Sequence, residues 1–273
     1  MWVWAALLRR ELLSIPQALF RFIEKFDGRI VPWWASARRE LVCITRLLPL
    51  VFCDLSAPLC PLLFATDAMG SNDVDHGGWG IMASAPAASL MKELFVAGAR
   101  PGYTVCRLDG DTRGKAADSL LKAQVPFSRV PPRLVENLDV WVELARGRWR
   151  ASDHITLGEA RAVILLLQGL AKLPAVHRSR VLSLMDNMPW SAAMTKGRSP
   201  KGSLNYLLRR RTAISLACQI YMILPWIDTG RQPADGASRI KVDAYDSALR
   251  SPRSFAGHPG DFAEVSGPGA CFM

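Results

Sequence analysis

Leu62-Leu63-Phe64-Ala65-Thr66-Asp67, a polar stretch Gly70-Ser71-Asn72-Asp73-Val74-Asp75-His76, and then Gly77-Gly78-Trp79-Gly80-Ile81-Met82-Ala83 decide how this chain is read. Two short apolar runs separated by turn-forming residues predict a β-hairpin, with the first strand ending on an acid. Glycines inside the second strand permit tight packing or close approach of another backbone. Downstream, Thr156 to Leu170 is the clearest helix, with Ala160, Val163, Ile164, Leu167 and Leu170 on one face. Val181-Leu182-Ser183-Leu184-Met185 reads as a strand buried on both faces. A third strand is expected near Gly147–Ala151, a long helix over Ser203–Cys218, a last strand within Ile220–Ile227, and a short helix opened by Pro233. Residues 62–239 therefore predict an α/β fold, a mixed five-stranded sheet with flanking helices, preceded by a helical segment.

Four acids stand where these elements begin or end: Asp67, Glu159, Asp186 and Asp235. Each has an ordinary structural role open to it. Asp67 and Asp186-Asn187 suit turns, Thr156-x-x-Glu159 matches a capping box, and Asp235 suits the first turn of a helix. Together they mean more. Carboxylates gathered at one sheet edge repel one another unless cations neutralise them, and all-oxygen donors suit Mg²⁺ or Mn²⁺. Such a centre is the usual device for in-line phosphodiester cleavage with two ions.

Around the acids stand Asp67-Ala68 with Gly77-Gly78-Trp79-Gly80, His154-Ile155 with Glu159, Asp186-Asn187, and Pro233-Ala234-Asp235 with Ser238-Arg239. In this order they resemble the type 1 ribonuclease H domain, in the form found in reverse transcriptases of DIRS-like retroelements. Trp34, Glu40-Leu41 and Leu47-Leu48-Pro49-Leu50 are similar to the connection segment that precedes it. The resemblance implies an RNase H-like fold, two Mg²⁺ (or Mn²⁺) ions held by the four acids, and hydrolysis of the RNA strand of RNA–DNA hybrids. It also implies that Lys196, Arg198, Lys201, Arg209, Arg210 and Arg211 grip the hybrid backbone, although a solvated helix face would read the same way.

Three departures from the family pattern stand out. The step from Asp67 to Glu159 is long, no His occupies the loop Asp228-Thr229-Gly230-Arg231 before Asp235, and no Tyr-x-Asp-Asp polymerase motif occurs. The expected partner is therefore an upstream polymerase domain outside this chain. A catalytically inactive nucleic-acid-binding module on the same fold is the alternative.

On these grounds residues 1–60 form a helical connection segment, 61–240 the nuclease-like domain with 85–140 an irregular insertion, and 241–273 a disordered tail rich in Gly and Pro. In the first segment, helices are expected over Leu7–Phe26 and Ala35–Leu48, with Pro58 and Pro61 bracketing a break. The 273 residues carry 34 Lys+Arg against 24 Asp+Glu, a net charge of +10, which suits a polyanionic partner. Six cysteines without a C-x-x-C pair argue against a zinc knuckle and fit a reducing, intracellular setting. No apolar run reaches the roughly 20 residues of a membrane span, so a soluble protein is expected. Trp190 suits the core better than base stacking, and Asp73, Asp75 and His76 suit a solvated loop. His154 suits a hydrogen-bonding role better than that of a general base.

Overall fold

The computed structural model describes residues 6, 8–70, 77–99 and 140–239. Strand β1 (Leu59–Ala68) is buried continuously from Leu62 onward, as a central strand covered on both faces must be. It lies between β2 (Gly78–Ser84), antiparallel, and β4 (Arg180–Leu184), parallel. Edge strand β3 (Val142–Arg148) runs antiparallel to β2, and β5 (Tyr221–Ile223) parallel to β4. The order β3-β2-β1-β4-β5 makes the mixed five-stranded sheet that was expected.

Period-2 alternation along β1 feeds two cores. Leu62 and Phe64 face one side, packed with the helices α4 (Ile155–Leu170), α5 (Met188–Lys196) and α6 (Gly202–Cys218). Leu63 and Ala65 face the other, with Met91 and Leu94 of α3 (Ala88–Ala99) and Leu182, Leu184 and Ile227. All five residues predicted for the inner face of α4 are fully or almost fully buried.

Several boundaries differ from expectation for identifiable reasons. Pro61 does not break the chain but lies inside β1. Pairing with β2 starts only at Leu63, and the β1–β4 register shifts between Leu59 and Leu63, so no ladder bond needs the missing Pro61 N–H. β3 lies upstream of the expected 147–151 because β2 sets its length; the last rung is Trp149 N–H to Gly77 O at 3.0 Å. β5 is only three residues long, since Pro225 interrupts it; Met185 and Trp226 then form an isolated bridge. Helix α5 was not expected, although its signals are plain. Asn187 caps it by accepting from Trp190 N at 3.0 Å, Pro189 sits in its first turn, and Gly197 ends it at φ +72°. Helix α3 likewise occupies part of the stretch expected to be irregular, whose residues 100–139 lie outside the described ones, as do 71–76 and the 240–273 tail. Pro233 precedes the terminal turn α7 (Asp235–Ser238) by two residues, with Ala234 at its N-cap.

The single helix expected over 7–26 is split at Pro16 into a 3₁₀ turn (Arg10–Ser14) and α1 (Gln17–Phe26), which pairs with α2 (Ala35–Leu47). The 3₁₀ turn is built into the sheet domain. Buried Arg9 donates to Glu11 Oε1 (2.8 Å), Gln219 Oε1 (3.0 Å) and Ser215 O (3.1 Å), and its guanidinium lies 4.3 Å from the Tyr221 ring centre. Burial raises the Glu11 pKa, but Arg211 and Arg9 outweigh it and hold the group below the ordinary carboxylate value. Among the described residues no helix is long and apolar enough to cross a membrane.

Candidate metal centre

Asp67 is the next-to-last residue of β1, opposite Gly80 of β2, and is buried. Asp186 lies two residues beyond β4, its backbone held where Trp226 Nε1 donates to Asp186 O at 2.8 Å. Because β1 and β4 are parallel neighbours, both chain ends leave the same sheet edge.

Glu159 comes from α4. The expected capping box is absent: the helix starts at Ile155, and the cap is His154, whose Nδ1 accepts from Thr156 N at 3.2 Å. Glu159 therefore lies beyond the first turn, too far along to fold back on the helix start. Its side chain points inward, only 3% exposed. Gly158 beside it faces Ala68 and Trp149, where a Cβ would make ordinary contacts at 3.4 Å.

Oxygens of Asp67, Glu159 and Asp186 all lie within 4.8 Å of one another. The electrostatic cost is visible in the protein without metal. Burial, reinforced by Asp186 and Asp235, pushes Asp67 up to about 6, against the opposing hydrogen bond from Ser238. Burial and then the charges of Asp67 and Asp186 push Glu159 up to about 9, with the Ala68 amide opposing. Glu159 Oε2 is buried and has no protein partner. An orphaned carboxylate oxygen in a cluster of hard oxygen donors is what a divalent cation would satisfy. The residues therefore fit Mg²⁺ or Mn²⁺.

Asp235 stands beside this trio and outside it. The turn α7 lies flat on β2 because Gly78 and Gly80 have no side chains; a Cβ on Gly80 would sit 2.6 Å from Ala237 Cβ, and one on Gly78 2.4 Å from Ser238 O. That contact explains the two outer glycines of the Gly78-Trp79-Gly80 run. It brings the Asp235 charge close enough to raise Asp67, while Arg239 holds the Asp235 carboxylate at 2.9 Å and 2.8 Å. From the same turn Ser238 Oγ donates to Asp67, and just upstream of it Gln232 Nε2 donates to Thr66 O at 3.0 Å. Ser238 and Gln232 were not singled out from sequence. Ser238 was in view as part of the Ser238-Arg239 pair, but its contact needed the fold.

The basic cluster separates into two groups. Arg211 is buried, donating to Met222 O at 3.3 Å and lying 3.9 Å from Glu11. Arg209 donates to Ser14 O, Ile15 O and Glu40 Oε1 at 2.9, 2.7 and 2.5 Å. Buried Arg211 is not available to a phosphate, which corrects the expectation for it, while the partly exposed Arg209 is engaged by the N-terminal segment. The reason is that α6 is covered twice, by α4 on one side and by the N-terminal turn on another. Lys196, Arg198, Lys201 and Arg210 are exposed; the Arg198 guanidinium lies 5.6 Å from the Phe20 ring centre. Trp190 is fully buried, as a core residue. Asp73, Asp75 and His76 lie outside the described residues.

No protein-family model and no curated protein matches the chain. Among solved structures it is similar to the N-terminal RNase H domain of Rv2228c from Mycobacterium tuberculosis, determined as a fusion with maltose-binding protein. The identity is 17%, the match covers 65% of this chain and 89% of that one, and the TM-score is 0.33. At that identity and score, residue roles rest on the geometry of the site itself.

Proposed function

We propose that this chain is a divalent-metal-dependent endonuclease that hydrolyses the RNA strand of RNA–DNA hybrids, as the RNase H portion of a retroelement reverse transcriptase. The carrying observation is the convergence of Asp67, Glu159 and Asp186, three carboxylates from three elements, around an unpartnered buried oxygen. The hybrid as substrate, and the DIRS-like setting with an upstream polymerase, are supported by the resemblance of the four acidic signatures.

In this reading Asp67, Glu159 and Asp186 hold the first ion, and Asp235 completes the site for a second. Ions held there would supply an activated water and stabilise the leaving oxygen of an in-line displacement. The chain's own contribution is position. β1 and β4 deliver two acids from adjacent strand ends, α4 presents the third from a fixed helix face, and the Gly78/Gly80 cradle seats the fourth. Lys196, Arg198, Lys201 and Arg210 supply sequence-independent contacts to phosphates, and the hybrid is distinguished by A-like shape and 2′-OH groups. Cys43, Cys53, Cys60 and Cys218 are free thiols, which suits an intracellular, reducing compartment.

The test is incubation of labelled RNA–DNA hybrid with purified protein in Mg²⁺, beside EDTA and an Asp186→Asn variant. Cutting of the RNA strand that needs metal and disappears in Asp186→Asn is expected. Folded protein that binds hybrid and leaves it intact would overturn the nuclease and favour the binding module.

A further inference from the structure

We propose that Ser238 is a positioning residue of the metal centre, orienting the Asp67 carboxylate and tying it to the turn that carries Asp235. The inference rests on the metal-centre reading above and adds a residue to it.

Ser238 is completely buried, at the end of the four-residue turn α7. Its Oγ contacts two acceptors, Asp67 Oδ2 and, at 2.9 Å, Asp235 O. A hydroxyl has one proton. It goes preferentially to the ionised carboxylate, because a charge-assisted hydrogen bond is about twice as strong as a neutral one. With Oδ2 engaged by Ser238, Oδ1 is left to turn toward Glu159 and Asp186.

The location of the hydroxyl is imposed from both sides. Gly78 and Gly80 let the Ser238 backbone approach β2 to a distance that no Cβ would tolerate. Ser238 N in turn donates to Ala234 O at 3.0 Å, and Arg239 N to Asp235 O at 3.3 Å, which closes the turn. One side chain therefore couples an acid on the central strand to the element bearing the fourth acid. A rotated Asp67 would lose its alignment with the other two carboxylates while the fold stayed intact. Partners that orient metal ligands in this way typically change metal affinity 10- to 100-fold when removed.

The experiment is titration of Mn²⁺ by calorimetry into wild-type protein and into Ser238→Ala and Ser238→Cys, with unfolding curves for each. Ser238→Cys keeps nearly the same volume with a much weaker donor, and it carries the test if Ser238→Ala fails to fold. Both variants are expected to bind Mn²⁺ roughly 10-fold or more weakly while a folded baseline is retained. Wild-type affinity in a folded variant would overturn the positioning role and leave the metal centre standing. Absence of saturable Mn²⁺ binding by wild type would overturn the metal centre itself, and this inference with it.

Discussion

Replacing Glu159 by Gln should make the metal-free protein more stable at neutral pH, which is an unusual outcome for a buried polar residue. In the fold, Glu159 keeps its proton up to about pH 9, because it is buried and faces Asp67 and Asp186. In the unfolded chain it titrates near its ordinary 4.5. The folded state thus binds more protons, so wild-type stability falls as pH rises from 4.5 through about 9. At pH 7 the loss covers about 2.5 pH units at about 1.4 kcal/mol each, or about 3 kcal/mol. Glutamine carries no such linkage and has nearly the shape of the protonated acid. For a chain of this size about 3 kcal/mol corresponds to roughly 6–12 °C in Tm. The assay is thermal or urea unfolding of both proteins in EDTA at pH 4, 7 and 9. The curves should coincide at pH 4 and separate steadily above it, with the variant more stable. Saturating Mg²⁺ should then raise wild type and leave Glu159→Gln nearly unmoved, narrowing or reversing the gap. A variant less stable than wild type at pH 7 in EDTA, or a gap that ignores pH, would refute the assignment of Glu159 as a strained, metal-seeking acid.

Gly80→Ala should lift α7 from β2, because its Cβ would meet Ala237 Cβ at 2.6 Å; a loss of about 1–3 kcal/mol in urea unfolding is expected, with weakened Mn²⁺ binding in the same preparation. Arg209→Ala should destabilise the fold by about 1–3 kcal/mol by removing the charge-assisted bonds that tie α6 to Glu40 and to the carbonyls of Ser14 and Ile15, with hybrid affinity in a fluorescence anisotropy titration unchanged. Arg210→Ala should do the reverse: stability stays within about 0.5 kcal/mol, hybrid binding weakens, and the slope of log affinity against log salt becomes shallower by about one phosphate contact. A salt slope that falls equally in Arg209→Ala and Arg210→Ala would contradict the division of the basic cluster.

What could be read from the sequence, and what could not, follows from how local each signal is. The β1–β2 hairpin and α4 rest on short apolar runs set off by turn-forming residues and on a 3.6-residue apolar period, properties of neighbouring residues, and both are present, with Leu62–Ala68 and the inner face of Ala160–Leu170 buried. The acids could be nominated because each stands at the end of such an element. Their grouping needed the strand order, since Asp67 and Asp186 meet only because β1 and β4 are adjacent and parallel. Glu159 shows the limit most sharply. Thr156-x-x-Glu159 satisfies the capping-box pattern, but His154 takes the cap and moves the helix start, and the acid is released inward. The same limit explains Arg209 and Arg211. A helix covered by one neighbour would leave such residues in water, but the turn around Arg9 and Glu11 adds a second neighbour that no pattern within α6 announces. The glycines of Gly77-Gly78-Trp79-Gly80 are the converse case, in which a motif was visible and its reason was not. The missing side chains of Gly78 and Gly80 make room for a turn that lies more than 150 residues downstream, carrying Asp235 and Ser238 to Asp67. The spacing of that motif therefore encodes a tertiary contact, and the centre stands or falls with it: without the cradle the fourth acid has no seat and the first loses its hydrogen bond.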